Sequence, residues 1–70
     1  MYWIECTISG KGEIYAGTLR QAIQHCQRRL VRCESRFPLA IWSGSAKLAE
    51  VRTHGEWVSK KAQAILASEA

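Results

Sequence analysis

Apolar residues change their spacing several times along this chain, and each change marks an element. From Tyr2 to Ser9 they alternate, with Tyr2, Ile4, Cys6 and Ile8 in one phase and Trp3, Glu5 and Thr7 in the other. That is the pattern of a half-buried strand. Gly10-Lys11-Gly12 reads as a turn and Glu13 to Ala16 as a short returning strand, which completes a hairpin. At Thr18 the spacing becomes helical. Thr18 and Gln21 match a capping box, in which hydroxyl and amide satisfy free backbone donors reciprocally. Leu19, Ala22, Ile23, Cys26, Leu30 and Cys33 then gather on one narrow face, and Gln21, His25, Arg28 and Arg32 line the opposite one. The predicted helix covers about 18–34, because Pro38 disfavours helical geometry at Phe37.

The second half returns to short strands. Leu39 to Trp42 is the third, with Pro38 at its start, where a missing backbone donor costs least. Ser43-Gly44-Ser45 is a turn. Ala46 to Thr53 is the fourth strand, yet Leu48 and Val51 fall out of phase, which predicts a bulge near Ala49 or Glu50. His54-Gly55 signals a tight turn before a short last strand, Glu56-Trp57-Val58. Ser59 caps a final helix from Lys60 to about Ser68, with Ala62, Ile65 and Leu66 as its apolar residues. A helix of that length is marginal alone and needs a surface to dock on.

The order β-β-α-β-β-β with a short C-terminal helix predicts an α+β fold. The main helix packs on one face of a four- to five-stranded antiparallel sheet. Residues 1–58 form a single α+β domain and 59–70 a helical tail. Whether the two halves of the sheet are continuous is left open by the element order.

Composition adds three constraints. No apolar run approaches the ~20 residues of a membrane helix, and the N-terminus alternates like a strand without a basic region before it, so no membrane and a cytoplasmic setting are expected. The three cysteines fall on apolar phases and lack a C-x-x-C spacing, so they read as small core hydrophobes, and no metal or cofactor is expected. The net charge of +4 is concentrated: Arg20, Arg28, Arg29, Arg32 and Arg36 lie within one stretch that holds a single acid, Glu34, whereas the remaining bases are matched by acids. Arginine is the base suited to bidentate contacts with phosphate or carboxylate.

Catalysis requires converging groups, and the acids are scattered singly, His25 lies about 100° round the helix from Cys26, and the glycines are isolated turn residues. The chain is therefore read as no enzyme. Two sets of residues point to binding. Arg28, Arg32, Arg29 and Arg36, with Gln21 and Gln24 interleaved, offer guanidinium and amide donors on a rigid helix, a mixture suited to phosphate or acidic protein. Trp3 and Trp42, with Trp57, supply large aromatics that the central helix cannot all cover. Burial by the C-terminal helix and burial in an intermolecular interface are both open for them.

The opening strand pair, the capped GTLRQAIQHCQRRL helix, the short strand ending at Trp42, the SGSAK turn and the closing HGEWV form a pattern over residues 2–58. It resembles very small phage-encoded proteins with one helix on an antiparallel sheet, including some type I anti-CRISPR proteins. The resemblance implies a stoichiometric inhibitor that occupies a surface of a host or defence-system protein or nucleoprotein complex. Such proteins are often acidic, and the basic helix of this chain departs from that. The expected function is thus a small binding or inhibitor module, with direct DNA or RNA binding by the arginine face as one alternative and a homodimer that buries the tryptophans as another.

Overall fold

The computed structural model describes residues 1–32 and 37–69. Its elements are β1 (Tyr2–Cys6), β2 (Gly12–Tyr15), α1 (Leu19–Val31), β3 (Leu39–Ser43), β4 (Ala46–Arg52), β5 (Gly55–Val58) and α2 (Lys60–Glu69). The element order is the one the sequence predicts. The two halves of the sheet are continuous: one five-stranded antiparallel sheet runs β2-β1-β3-β4-β5. β1 joins the halves, since Trp3 pairs with Ile14 on one side and with Trp42 on the other.

The largest departures from the expected elements are the ends of β1 and α1 and the position of the bulge, while β2, β3, β4 and β5 differ by a single residue at one or both ends. β1 ends at Cys6, and Ile8 lies in the turn at 67% exposure instead of extending the apolar phase. The chain reverses there because the Cys6 carbonyl accepts from the Gly10 N–H at 3.0 Å, with Gly10 at φ 73°. α1 ends at Val31 rather than near 34, and the Arg32 N–H closes its last turn on the Arg28 carbonyl. The predicted helical positions Cys33 and Glu34 lie outside the described residues. The bulge sits one or two residues before the predicted Ala49 or Glu50. Ile41 pairs with Ala49 and Trp42 with Lys47, so Leu48 is the extra residue. It lets Leu48 and Val51 both reach the helical side, and each is fully buried.

The predicted cap of α1 forms: the Thr18 hydroxyl accepts from the Gln21 N–H at 3.1 Å, and the Gln21 side chain accepts from the Thr18 N–H at 3.0 Å. Leu19, Ala22, Ile23, Cys26 and Leu30 seal the core against Ile4, Leu39, Ile41, Leu48, Ala49 and Val51. α2 joins the same core through Ala62, with Ile65 and Leu66 packed beside it, and contacts α1 and β4. Both helices therefore cover one face of the sheet. At the far end of α2, the Glu69 carboxylate accepts from the Leu19 N–H at 2.7 Å and the Arg20 N–H at 3.1 Å. An anion at a helix N-terminus meets free donors and the positive end of the dipole. The last turn of the chain thus completes the cap of the central helix. Among the described residues, no helix is long and apolar enough to cross a membrane.

Candidate binding surfaces

Three surfaces follow from how α1 and the sheet are placed. The first is the outer side of α1, where Gln24, Gln27, Arg28, Val31 and Arg32 line a shallow groove. Helical spacing puts Arg28 and Arg32 one turn apart. The Arg28 Nε donates to the Gln24 carbonyl at 3.4 Å, which lays its side chain along the helix. Gln27 reaches Glu56 of β5 at 3.5 Å, and Val31 is 82% exposed between the arginines. Among the described residues no carboxylate pairs with Arg20, Arg28 or Arg32.

Two predicted members of this surface do other work. Arg29 turns toward β2 and pairs with Glu13 at 3.1 Å. The Gln21 carbonyl is committed to the cap. Arg36 lies outside the described residues. His25, expected in line with Arg28 and Arg32, is also drawn to the β2 side, where it meets Glu13 at 3.0 Å and stacks on Tyr15 with centroids 5.0 Å apart. The sequence could not place these pairs, because the acid and the ring come from a different strand. The Glu13–His25–Arg29 cluster with Tyr15 is the second surface, and it ties α1 to the edge strand.

The third surface is the sheet face that neither helix covers. Cross-strand pairing brings Ile14, Trp3, Trp42 and Lys47 into one row over four strands, with Glu5, Ala40, Glu50 and Trp57 in the next. Trp3 and Trp42, both predicted binding residues, are direct cross-strand neighbours. Trp3 lies across Gly12, where a Cβ would overlap its ring. Trp3, Ile14 and Trp57 are 39%, 66% and 46% exposed. The Trp42 indole nitrogen is sealed from solvent and has no acceptor among the described residues. Lys47 lies 5.8 Å from the Trp57 ring centre and pairs with Glu50 at 3.0 Å, and Arg52 donates to Glu50 at 2.7 Å. These two donors hold the Glu50 carboxyl below the usual carboxylate range. Ile14 and Lys47 were not singled out by the sequence, because only the register shows that they share a row with the tryptophans.

α2 packs beside α1 on the helical side of the sheet. It does not cover Trp3 or Trp57, so burial of the rings by the C-terminal helix is not the arrangement adopted.

Of the cysteines, Cys26 is fully buried and Cys6 half-buried; Cys33 is outside the described residues. Burial pushes the Cys26 thiol up to about 11, while a hydrogen bond with the Ser9 side chain draws the Cys6 thiol down. Iodoacetamide at mildly alkaline pH is expected to label Cys6 and spare Cys26 in the folded chain, as read by peptide mass mapping. The unfolded Cys26 thiol ionises from its ordinary value of 9.0, the folded one only near 11. Stability is therefore fully present below the first value and is lost as pH rises through the window between them. Urea midpoints measured across that window should fall less steeply in Cys26→Ala than in the parent.

Among the described residues no group of histidine, cysteine and acidic side chains could hold a metal ion. No family model matches this chain, and neither a curated protein nor a solved structure matches it.

Proposed function

We propose that this chain is a small non-enzymatic binding module that occupies an anionic surface of a larger protein or nucleoprotein complex through the outer side of α1. One observation carries the reading. Arg29, Lys47 and Arg52 are each paired with a carboxylate, whereas Arg28 and Arg32 are left with an amide-lined groove between them and no acid bonded to either among the described residues. Guanidinium groups on a helix are held in a fixed relation, and their planar donors fit phosphate or carboxylate. The resemblance to small phage-encoded inhibitors fits the same mode of action, with a host or defence-system assembly as partner.

The test uses fluorescent duplex and single-stranded oligonucleotides as phosphate-bearing probes, with anisotropy read at low and moderate salt. The parent is expected to bind weakly and to lose affinity as salt rises, because bound phosphates release counterions. Arg28→Glu with Arg32→Glu should weaken binding at least ~10-fold, since a charge-assisted contact contributes about 1.5–3 kcal/mol. Lys60→Glu with Lys61→Glu makes the same change of net charge on an exposed stretch of α2 and should alter binding far less. Equal losses in the two variants would reduce the effect to net charge and sink the assignment to α1.

A further inference from the structure

We infer that the open sheet face is the interface of a symmetric homodimer, in which two sheets pack face to face and leave a helix layer on each outside. The inference is independent of the arginine reading, because the two surfaces lie on opposite sides of the sheet.

The face is too apolar to be ordinary solvated surface. Trp3, Trp42, Trp57 and Ile14 make up half of its larger side chains and all three of the chain's tryptophans, and among the described residues α2 packs on the other side. Tryptophan is the residue most enriched at interface hot spots.

Charge decides among possible occupants. The face carries two acids, Glu5 and Glu50, and two bases, Lys47 and Arg52. It is neutral overall, unlike the arginine side of α1. A nucleic-acid strand stacked on the rings would bring phosphates against two carboxylates, with the chain's positive excess on the far side. A second copy meets a smaller penalty: Lys47 and Arg52 already neutralise Glu50 within each protomer and leave one positive charge over, and a two-fold axis can set Glu5 of one protomer toward that cluster of the other. Glu5 has no ion-pair partner within the chain among the described residues, so it is available for this.

Size is consistent. Five strands at about 4.8 Å spacing, each about five residues of ~3.4 Å, outline roughly 400 Å². Two such outlines come to roughly 800 Å² before side-chain relief is counted, and the protruding rings add to that total toward the ~1,000 Å² of a specific interface. The product is a sheet-on-sheet sandwich with layers about 10 Å apart. It would present two arginine faces on opposite surfaces, which makes the dimer bivalent toward a repeating anionic partner.

The test is sedimentation equilibrium of the full chain across the micromolar range, with tryptophan emission recorded on the same samples. The expected result is a mass twice the 7.9 kDa of one chain, with emission shifting to the red on dilution. Ile14→Lys and Trp57→Lys alter exposed positions, and far-ultraviolet circular dichroism checks that both variants remain folded. Each should weaken the dimer at least ~30-fold, a hot-spot loss counted on both protomers. A parent that stays monomeric throughout overturns the inference, as does a dimer that both folded variants leave intact. A monomer whose tryptophan emission is quenched by single-stranded oligonucleotide would make the face a base-stacking platform and also overturn it. Arg28→Glu with Arg32→Glu should dimerise as the parent does, so failure of the arginine reading and failure of this one are separately visible.

Discussion

A chain ending at Ser59 is expected to lose its cooperative thermal transition. By position, α2 is a tail, but its contacts belong to the core. Ala62 is fully buried, and Ile65 and Leu66 pack against the same cluster that α1 seals. Removing them exposes apolar surface on α1 and β4 worth several kcal/mol, at ~1.5–3 kcal/mol for a large side chain fully buried and about half that for one partly covered. The Glu69 cap on the Leu19 and Arg20 N–H groups goes as well, and caps contribute about 0.5–2 kcal/mol. Ordering a ten-residue helix consumes entropy, and its deletion returns part of that. The remaining loss is comparable with the ~3–5 kcal/mol that a core of this size supplies. Circular dichroism of the shortened chain should show a broad, non-cooperative melt. Glu69→Ala in the full chain isolates the cap: about 1 kcal/mol, read as a melting point ~4–8 °C lower. A shortened chain that melts as sharply as the parent would mean that residues 1–59 are self-sufficient and that α2 is an appendage.

Leu48→Ala is expected to be strongly destabilising. Leu48 is the residue that the bulge adds to β4, and it is fully buried under the helices. Large-to-small changes of this kind cost about 2–5 kcal/mol, because the transfer energy is lost and a cavity remains. Near 3 kcal/mol, the melting point should fall roughly 12–24 °C. Ile8→Ala provides the contrast. Strict alternation along residues 2–8 would place Ile8 in the core beside Cys6. The strand instead ends at Cys6 and leaves Ile8 two-thirds exposed in the turn, so its truncation should stay within ~0.5 kcal/mol. Comparable losses at the two positions would show that the turn packs far more tightly than its exposure indicates.

Much of this architecture was legible in the residues. Leu19, Ala22, Ile23, Cys26 and Leu30 announce a helix face because a 3.6-residue repeat brings them together whatever else the chain does. Thr18 and Gln21 announce its start because a cap is closed within four residues. Even the bulge was implied: Leu48 and Val51 cannot both point inward from a regular strand, although the extra residue is Leu48 itself and lies one or two positions before the point where the phase break alone puts it. The binding surfaces were less legible. Arg28 and Arg32 share a groove as their spacing suggests, while Arg29 does not join them, because Glu13, sixteen residues back on a different element, claims it.

Local repeat and local capping were therefore determined by the sequence, since both act over a few residues and depend on backbone geometry. Tertiary structure decided what lies between elements distant along the chain. It set Trp3 opposite Trp42, Arg29 against Glu13 and Glu69 on the first turn of α1. It also put both helices on one side of the sheet and left the tryptophans on the other. Those relations depend on strand register and on which face each helix docks, and a one-residue change of register inverts every side chain of a strand.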